Sequence, residues 1–225
     1  MLKILVCVKQ VPDIDLVKMD PETGNLVRDG VPSMMNPLDM NALEAALRLK
    51  EDMGGEITAI TMGPPAAEAV LRECLALGAD RAVLVTGREF GGADTLSTSY
   101  VIAKAALQLG SYDLIFCGKE TLDGATGQMG SQLAERFGSS QVTSMSLIKS
   151  LDMEKGSIVV EREVEKGVET IEARIPCLFT VEKTNYQPRL PNYRGKKAAR
   201  TAEIITLGPG DIEGLDAKLI GVPGS

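Results

Sequence analysis

The chain has 225 residues, 44% of them hydrophobic, with a formal charge of -7 and no histidine. Such a length supports one substantial core, and the negative charge disfavours a general nucleic-acid binder, whose affinity comes from clustered Lys and Arg. Without histidine, Ser-His-Asp triads, His-ligated zinc and imidazole acid–base catalysis are excluded, so any chemistry is expected to belong to a bound cofactor.

Ile4 to Val8 is a continuous apolar, β-rich run, the pattern of a strand buried on both faces of a parallel sheet. The run is too short for a signal-peptide core, and nowhere do 18 apolar residues follow one another, which points to a soluble, cytoplasmic chain with no membrane span. Cys7, Cys74, Cys117 and Cys177 are far apart, with no C-x-x-C pair, and fit buried free thiols of a reducing compartment. Asp20 to Asn25 reads as a turn between short extended segments.

Asn36-Pro37 is a cap-and-start signal for a helix in which Leu43, Ala46 and Leu47 face the core while Glu44, Arg48 and Glu51 face water. Strand Ile57 to Thr61 ends at Met62-Gly63, and a helix from about Pro65 to Leu77 follows, closed by Gly78. Strand Ala82 to Val85 ends in Thr86-Gly87, and Gly91 to Thr95 opens a helix with the stripe Ile102, Ala105, Ala106, Leu109. Strand Leu114 to Phe116 leads into the glycine-rich stretch Gly118 to Ser131, and a helical pattern begins near Gln132.

Strands alternating with amphipathic helices imply an open, mostly parallel α/β sheet with helices on both faces and ligand at the carboxyl ends of the strands. In the glycine-rich stretch, Gly118, Gly124, Gly127 and Gly130 permit close backbone approach. Asp123, Thr126, Gln128 and Ser131 add donors and acceptors before a helix N-terminus. The same residues also suit a plain polar loop ending in a helix cap. Neither G-x-x-x-x-G-K-[ST] nor G-x-G-x-x-G after the first strand is present, which argues against a P-loop NTPase and a standard dinucleotide fold.

Beyond Gly138 the pattern alternates: Gln141 to Ile148, a hairpin of Ser157 to Glu165 with Val168 to Arg174, and a buried strand Cys177 to Val181. These are antiparallel additions to the sheet. From residue 184 the chain is polar, punctuated by Pro188 and Pro191, then basic through Arg194, Lys196, Lys197 and Arg200. The expected division is a nucleotide-binding α/β domain over 1–183 and an extended partner-binding arm over 184–225.

Four stretches together resemble the β (small) subunit of electron transfer flavoproteins: Val6 to Asp13, Met35 to Asp39 with the helix behind it, Gly118 to Gly130, and Asn185 to Asn192 with its basic run. The resemblance implies a Rossmann-like fold, a heterodimer with a larger α subunit that carries an FAD, and in this chain either structural AMP or, in the electron-bifurcating group, a second FAD. Asp39, Gly92 to Thr98 and Asp123-Gly124-x-Thr126-x-Gln128-x-Gly130 look like the bifurcating group, although members of that group typically have aspartate where Ala125 stands and proline where Ser131 stands. That group implies NADH as electron donor, with a dehydrogenase and ferredoxin or flavodoxin as redox partners.

By the same resemblance, Cys7, Val8 and Lys9 lie beside adenine and ribose, Asn36 and Asp39 near the sugar, and Met62 and Gly63 against the adenine. The pyrophosphate rests on the amides of Gly124, Ala125, Thr126, Gly127, Gln128, Met129 and Gly130, helped by the side chains of Thr95, Thr98, Thr126 and Gln128, and Asp94 also belongs to the site. Gly118, Asp123 and Ser131 complete the site, with Lys119 left out as a solvated strand-end lysine. Two other classes compete: a universal-stress-type nucleotide module working as a homodimer, and an adenylating enzyme, although the latter's S-G-G-x-D-S loop is replaced here by Lys9 to Pro12.

Overall fold

The structure, a computed structural model, describes residues 1–13, 18–19, 26–27, 32–182 and 184–225. Strands β1 (Lys3–Cys7), β2 (Gln10–Pro12), β3 (Lys18–Met19), β4 (Leu26–Val27) and β5 (Ser33–Met35) precede helix α1 (Pro37–Met53). There follow β6 (Glu56–Met62), α2 (Glu68–Leu77), β7 (Arg81–Val85), α3 (Thr95–Leu109), β8 (Leu114–Gly118) and α4 (Met129–Phe137). The last part of the chain forms β9 (Ser140–Asp152), β10 (Ser157–Val164), β11 (Gly167–Arg174), β12 (Cys177–Val181), α5 (Tyr193–Thr201) and β13 (Ile205–Leu207).

One nine-stranded sheet runs β11-β10-β9-β12-β8-β1-β6-β7-β13. From β9 to β13 all neighbours are parallel, whereas β9, β10 and β11 pair antiparallel, so β9 marks the change of direction. The period of two along β1 sends Ile4 and Val6 into one core layer and Leu5 and Cys7 into the other. Leu43, Leu47 and Leu71 of α1 and α2 cover the first layer, and Ile102, Ala106 and Leu133 of α3 and α4 cover the second. The α/β architecture expected from the sequence is therefore present, with antiparallel strands at one edge.

Several local readings change. Helix α4 starts at Met129, about a turn before Gln132, so Met129 and Gly130 belong to its first turn rather than to the loop. Gln10–Pro12 and Ser33–Met35 pair as an antiparallel ribbon that buries Val11 and Met35. The turn expected over Asp20 to Asn25 lies outside the described residues, although Lys18–Met19 and Leu26–Val27 on either side of it pair antiparallel. Glu44 does not face water: its side chain is 1% exposed and held by Arg48 and Arg189.

Residues 184–225, expected as an extended arm, carry structure that their composition did not suggest. Helix α5 lies against α2, where Gly195 backs onto the Ala76 carbonyl and Arg72 donates to the carbonyls of Ala199 and Ala202 at 2.7 and 2.5 Å. Strand β13 then adds to the sheet beside β7. Ala199, Leu207, Ile212 and Ile220 are buried.

Candidate functional site

A cavity of about 1170 Å³ opens at the carboxyl ends of β1, β6, β7 and β8. Strand order gives the reason: after β1, β6 and β7 the chain crosses back to lay β8 on the other side of β1, and such a switch point leaves a crevice between diverging loops. Fifteen of the residues singled out in the sequence line it. They are Cys7, Val8 and Lys9 after β1, Asp39 on α1, Met62 and Gly63 after β6, Asp94, Thr95 and Thr98 at the start of α3, and Gly118, Gly124, Thr126, Gly127, Gln128 and Met129 from β8 to α4.

Asn36, Asp123, Ala125, Gly130 and Ser131 are not among the lining residues; Asn36, Asp123 and Gly130 have structural tasks instead, and Ser131 Oγ accepts from Gln141 Nε2 at 3.3 Å. Asn36, fully buried, donates from Nδ2 to the Glu120 carbonyl at 2.9 Å and accepts from the Leu122 amide at 3.3 Å. It makes no side-chain cap on α1; it ties the glycine loop to the helix start. Asp123 pairs with Lys9, Nζ lying 2.9 and 2.8 Å from its two carboxylate oxygens. Burial acts to raise the Asp123 carboxyl, but hydrogen bonds from Lys9 and Thr121 outweigh it and hold the group below its ordinary range.

Ala125 adopts φ 46°, the left-handed region that favours Gly, Asn and Asp. Gly130 is needed for packing: a Cβ there would collide with the Thr180 methyl of β12. Gly130→Ala is expected to push α4 off the sheet at a cost of about 1–3 kcal/mol. Urea denaturation checks this, and an unchanged midpoint would refute it.

Asp39 is the joint of the site. Its Oδ2 accepts from the Lys9 amide and its Oδ1 from the Gly118 amide, both at 2.8 Å, so one carboxylate fastens the ends of β1 and β8 to α1. Gly118 permits this approach, since any side chain would strike Asp39 and Leu38. Burial pushes the Asp39 carboxyl up to about 7, against the opposing effect of those two amides, Asn36 and the Lys9 ammonium.

Across the cavity, Thr95 Oγ1 donates to Gln128 Oε1 at 2.9 Å and accepts from Gln132 Nε2 at 3.2 Å, joining the starts of α3 and α4. Helix α4 begins with no side-chain cap, leaving first-turn amides available to an anion at the cavity edge. Of the cations lining the cavity, Lys9 is paired with Asp123 and Lys119 with Glu182, while Arg88 makes no ion pair among the described residues. Cys7 and Cys117 also line it. Burial pushes Cys7 up to about 12 and Cys117 well above its ordinary value, so neither is a thiolate near neutral pH.

The strand end Thr86-Gly87, read from the sequence as part of the rim, lines the cavity together with Ala93, whereas Arg88 and Phe90 of the same wall were not singled out. The signal was available, because Thr86-Gly87 is a strand end of the same parallel series, and the glycines at 91 and 92 mark a loop. Uncapped amides, an open glycine loop and an unpaired guanidinium suit a dinucleotide's pyrophosphate, and the apolar strand ends suit its base.

An open α/β sheet of Rossmann-like type, with its cavity at the switch point, defines the class. The family described as the electron transfer flavoprotein domain matches residues 23–211. An electron transfer flavoprotein subunit beta from Thermoanaerobacterium thermosaccharolyticum is 44% identical over the whole chain and 85% of the relative. Protein FixA from Azorhizobium caulinodans is 44% identical over the whole chain and 81% of that protein, and the caffeyl-CoA reductase-Etf complex subunit CarD from Acetobacterium woodii is 45% identical, with the whole chain and 84% of CarD covered.

The chain belongs to the electron transfer flavoprotein family, as a β subunit. Its work is electron transfer, and a β subunit of this family implies an α-subunit partner. No described helix is long and apolar enough to cross a membrane.

Proposed function

We propose that this β subunit holds FAD in the cavity and serves a complex that divides the electrons of NADH between a low-potential acceptor, ferredoxin or flavodoxin, and the FAD of the α subunit. The observation that carries the reading is the cavity's size: about 1170 Å³ exceeds the roughly 300–1,000 Å³ of ordinary small-molecule sites. AMP, less than half as large as FAD, leaves most of that space unused. Support also comes from the relative named for a caffeyl-CoA reductase–Etf complex, and by likeness a partner dehydrogenase or reductase is proposed here. Four free buried cysteines accord with a cytoplasmic setting.

In this reading the chain's own residues bind and orient. The amides of Gly124 and of Thr126 to Met129 and the hydroxyls of Thr95, Thr98 and Thr126 hold the pyrophosphate, while Cys7 to Lys9, Met62 and Gly63 flank the adenine end. Hydride and one-electron chemistry are what the flavin supplies when bound, and no side chain of the site acts as acid or base. The competing reading, a conventional β subunit with structural AMP, uses the same strand ends and cradle.

Flavin stoichiometry separates the two readings. The purified heterodimer is expected to hold two FAD, falling toward one in Gly124→Asp, which sets a carboxylate in the cradle. Gly124 accepts a Cβ without collision, its nearest neighbour being Thr121 Oγ1 at 3.4 Å, so loss of flavin in this variant reports on binding rather than folding. One FAD and one AMP in the parent would overturn the bifurcating reading.

A further inference from the structure

The cavity wall from Thr86 to Asp94 joins β7 to α3 and contains Gly87, Gly91 and Gly92. A loop so poor in side chains has little with which to fix itself. It is held from behind by the last stretch of the chain. Phe90 is buried in one cluster with Leu207, Ile212 and Ile220. Added side-chain carbons would stand 2.8 Å from Pro209 at Gly87 and 2.7 Å from Val222 at Gly92, so the glycine backbone of the wall lies directly against the side chains of the last segment. Gly221, at φ 57°, backs onto the Glu89 carbonyl with no room for a Cβ. The Asp94 amide donates to Ser225 Oγ at 2.9 Å, and that hydroxyl donates to the Gly221 carbonyl at 3.0 Å.

We propose that residues 207–225 form a hook that positions the cavity wall and the start of α3, and so help determine the affinity of this chain for its adenine nucleotide. The inference rests on the nucleotide reading of the cavity. Asp94 caps α3 through its side chain on the Ser97 amide while its own amide is taken by Ser225, so the hook reaches the first turn of the helix. From there Thr95 carries the constraint to Gln128 in the cradle. A wall ordered in advance spares the ligand the entropic cost of ordering it on binding.

The test titrates FAD and AMP onto the nucleotide-stripped heterodimer, with the unfolding midpoint of the stripped protein measured alongside. Gly221→Val, which drives a side chain into the Glu89 carbonyl, is expected to raise the dissociation constant about tenfold or more. Ser225→Ala is expected to raise it roughly threefold, Ser225→Thr to restore it, and Lys218→Ala, an exposed position of the hook that is not among the residues lining the cavity, to leave it at the parent value. Parent-like affinity in Gly221→Val and Ser225→Ala overturns the inference alone. So does an affinity loss in Ser225→Ala that is matched by a collapse of the stripped protein's unfolding midpoint. A parent that binds neither nucleotide overturns the reading of the cavity and the hook with it.

Discussion

Replacing Arg189 by methionine is expected to cost about 3 kcal/mol of folding stability, the lower end of the range for leaving a buried charge without its partner. The Glu44 side chain is 1% exposed. It accepts from Arg189 Nε at 2.8 Å, from its Nη2 at 3.1 Å and from its backbone amide at 3.1 Å, and the same guanidinium reaches Glu51. Arg48 remains at 2.7 Å to compensate in part, which is why the lower end applies. Pairing the change with Glu44→Gln should recover most of the loss, since the penalty lies in the orphaned carboxylate.

The pH dependence of that loss has a definite sign. Burial acts to raise the Glu44 carboxyl, but the hydrogen bonds from Arg189 and Arg48 prevail and hold it below its ordinary 4.5. A depressed carboxylate contributes stability that is complete above the unfolded value and fades as pH falls through the folded one. The difference between parent and Arg189→Met should therefore be full at neutral pH and shrink in acid below 4.5. Urea titrations at neutral and acid pH measure it; a difference under about 1 kcal/mol at both would show that the pair does not hold the arm.

The second large effect is expected at Asp39. Asp39→Ala strands the Lys9 and Gly118 amides, at about 1–3 kcal/mol each, and loosens the ends of β1 and β8 together. Asp39 also has an unusual pH signature. Its folded pKa is raised from 3.8 to about 7, so the stability it contributes is complete below the unfolded value and is lost as pH rises to the folded one. The parent should lose stability between those limits relative to Asp39→Asn, whose amide cannot ionise but turns one acceptor into a donor facing a donor. Parallel stability curves for the two proteins across that window would sink the assignment.

How much of this was legible in the chain depended on whether the relevant partner was local. Cys177 to Val181 was readable to the residue because a strand buried on both faces shows as a continuous run, here of four apolar residues and the β-branched Thr180. The cavity rim was readable for the same reason: once the parallel series is recognised, its carboxyl ends follow. Glu44 was misplaced because helix periodicity reports only which face a residue takes, and what covers that face is Arg189, 145 residues later. Between residues 198 and 222 the apolar residues come in short irregular groups, among them Ala198-Ala199, Ile204-Ile205 with Leu207, Ile212 alone and Leu219-Ile220, and nothing local shows that α2, β7 and Phe90 lie beneath Ala199, Leu207, Ile212 and Ile220. Asn36 was legible as a cap, but its bonds to Glu120 and Leu122 exist only after the sheet has brought the glycine loop alongside.

Strand β12 lies between β8 and β9, although β9, β10 and β11 are all synthesised before it. A nascent chain that has reached Arg174 therefore has β8 and β9, the strands on either side, but no strand to join them, and each presents unpaired backbone donors and acceptors. Parallel pairing of distant segments is slow, and open edges are where chains pair with the wrong neighbour. Joining β8 to β9 depends on Cys177 to Val181, so a ribosome that stalls just short of Val181 leaves two raw sheet edges rather than a smaller domain.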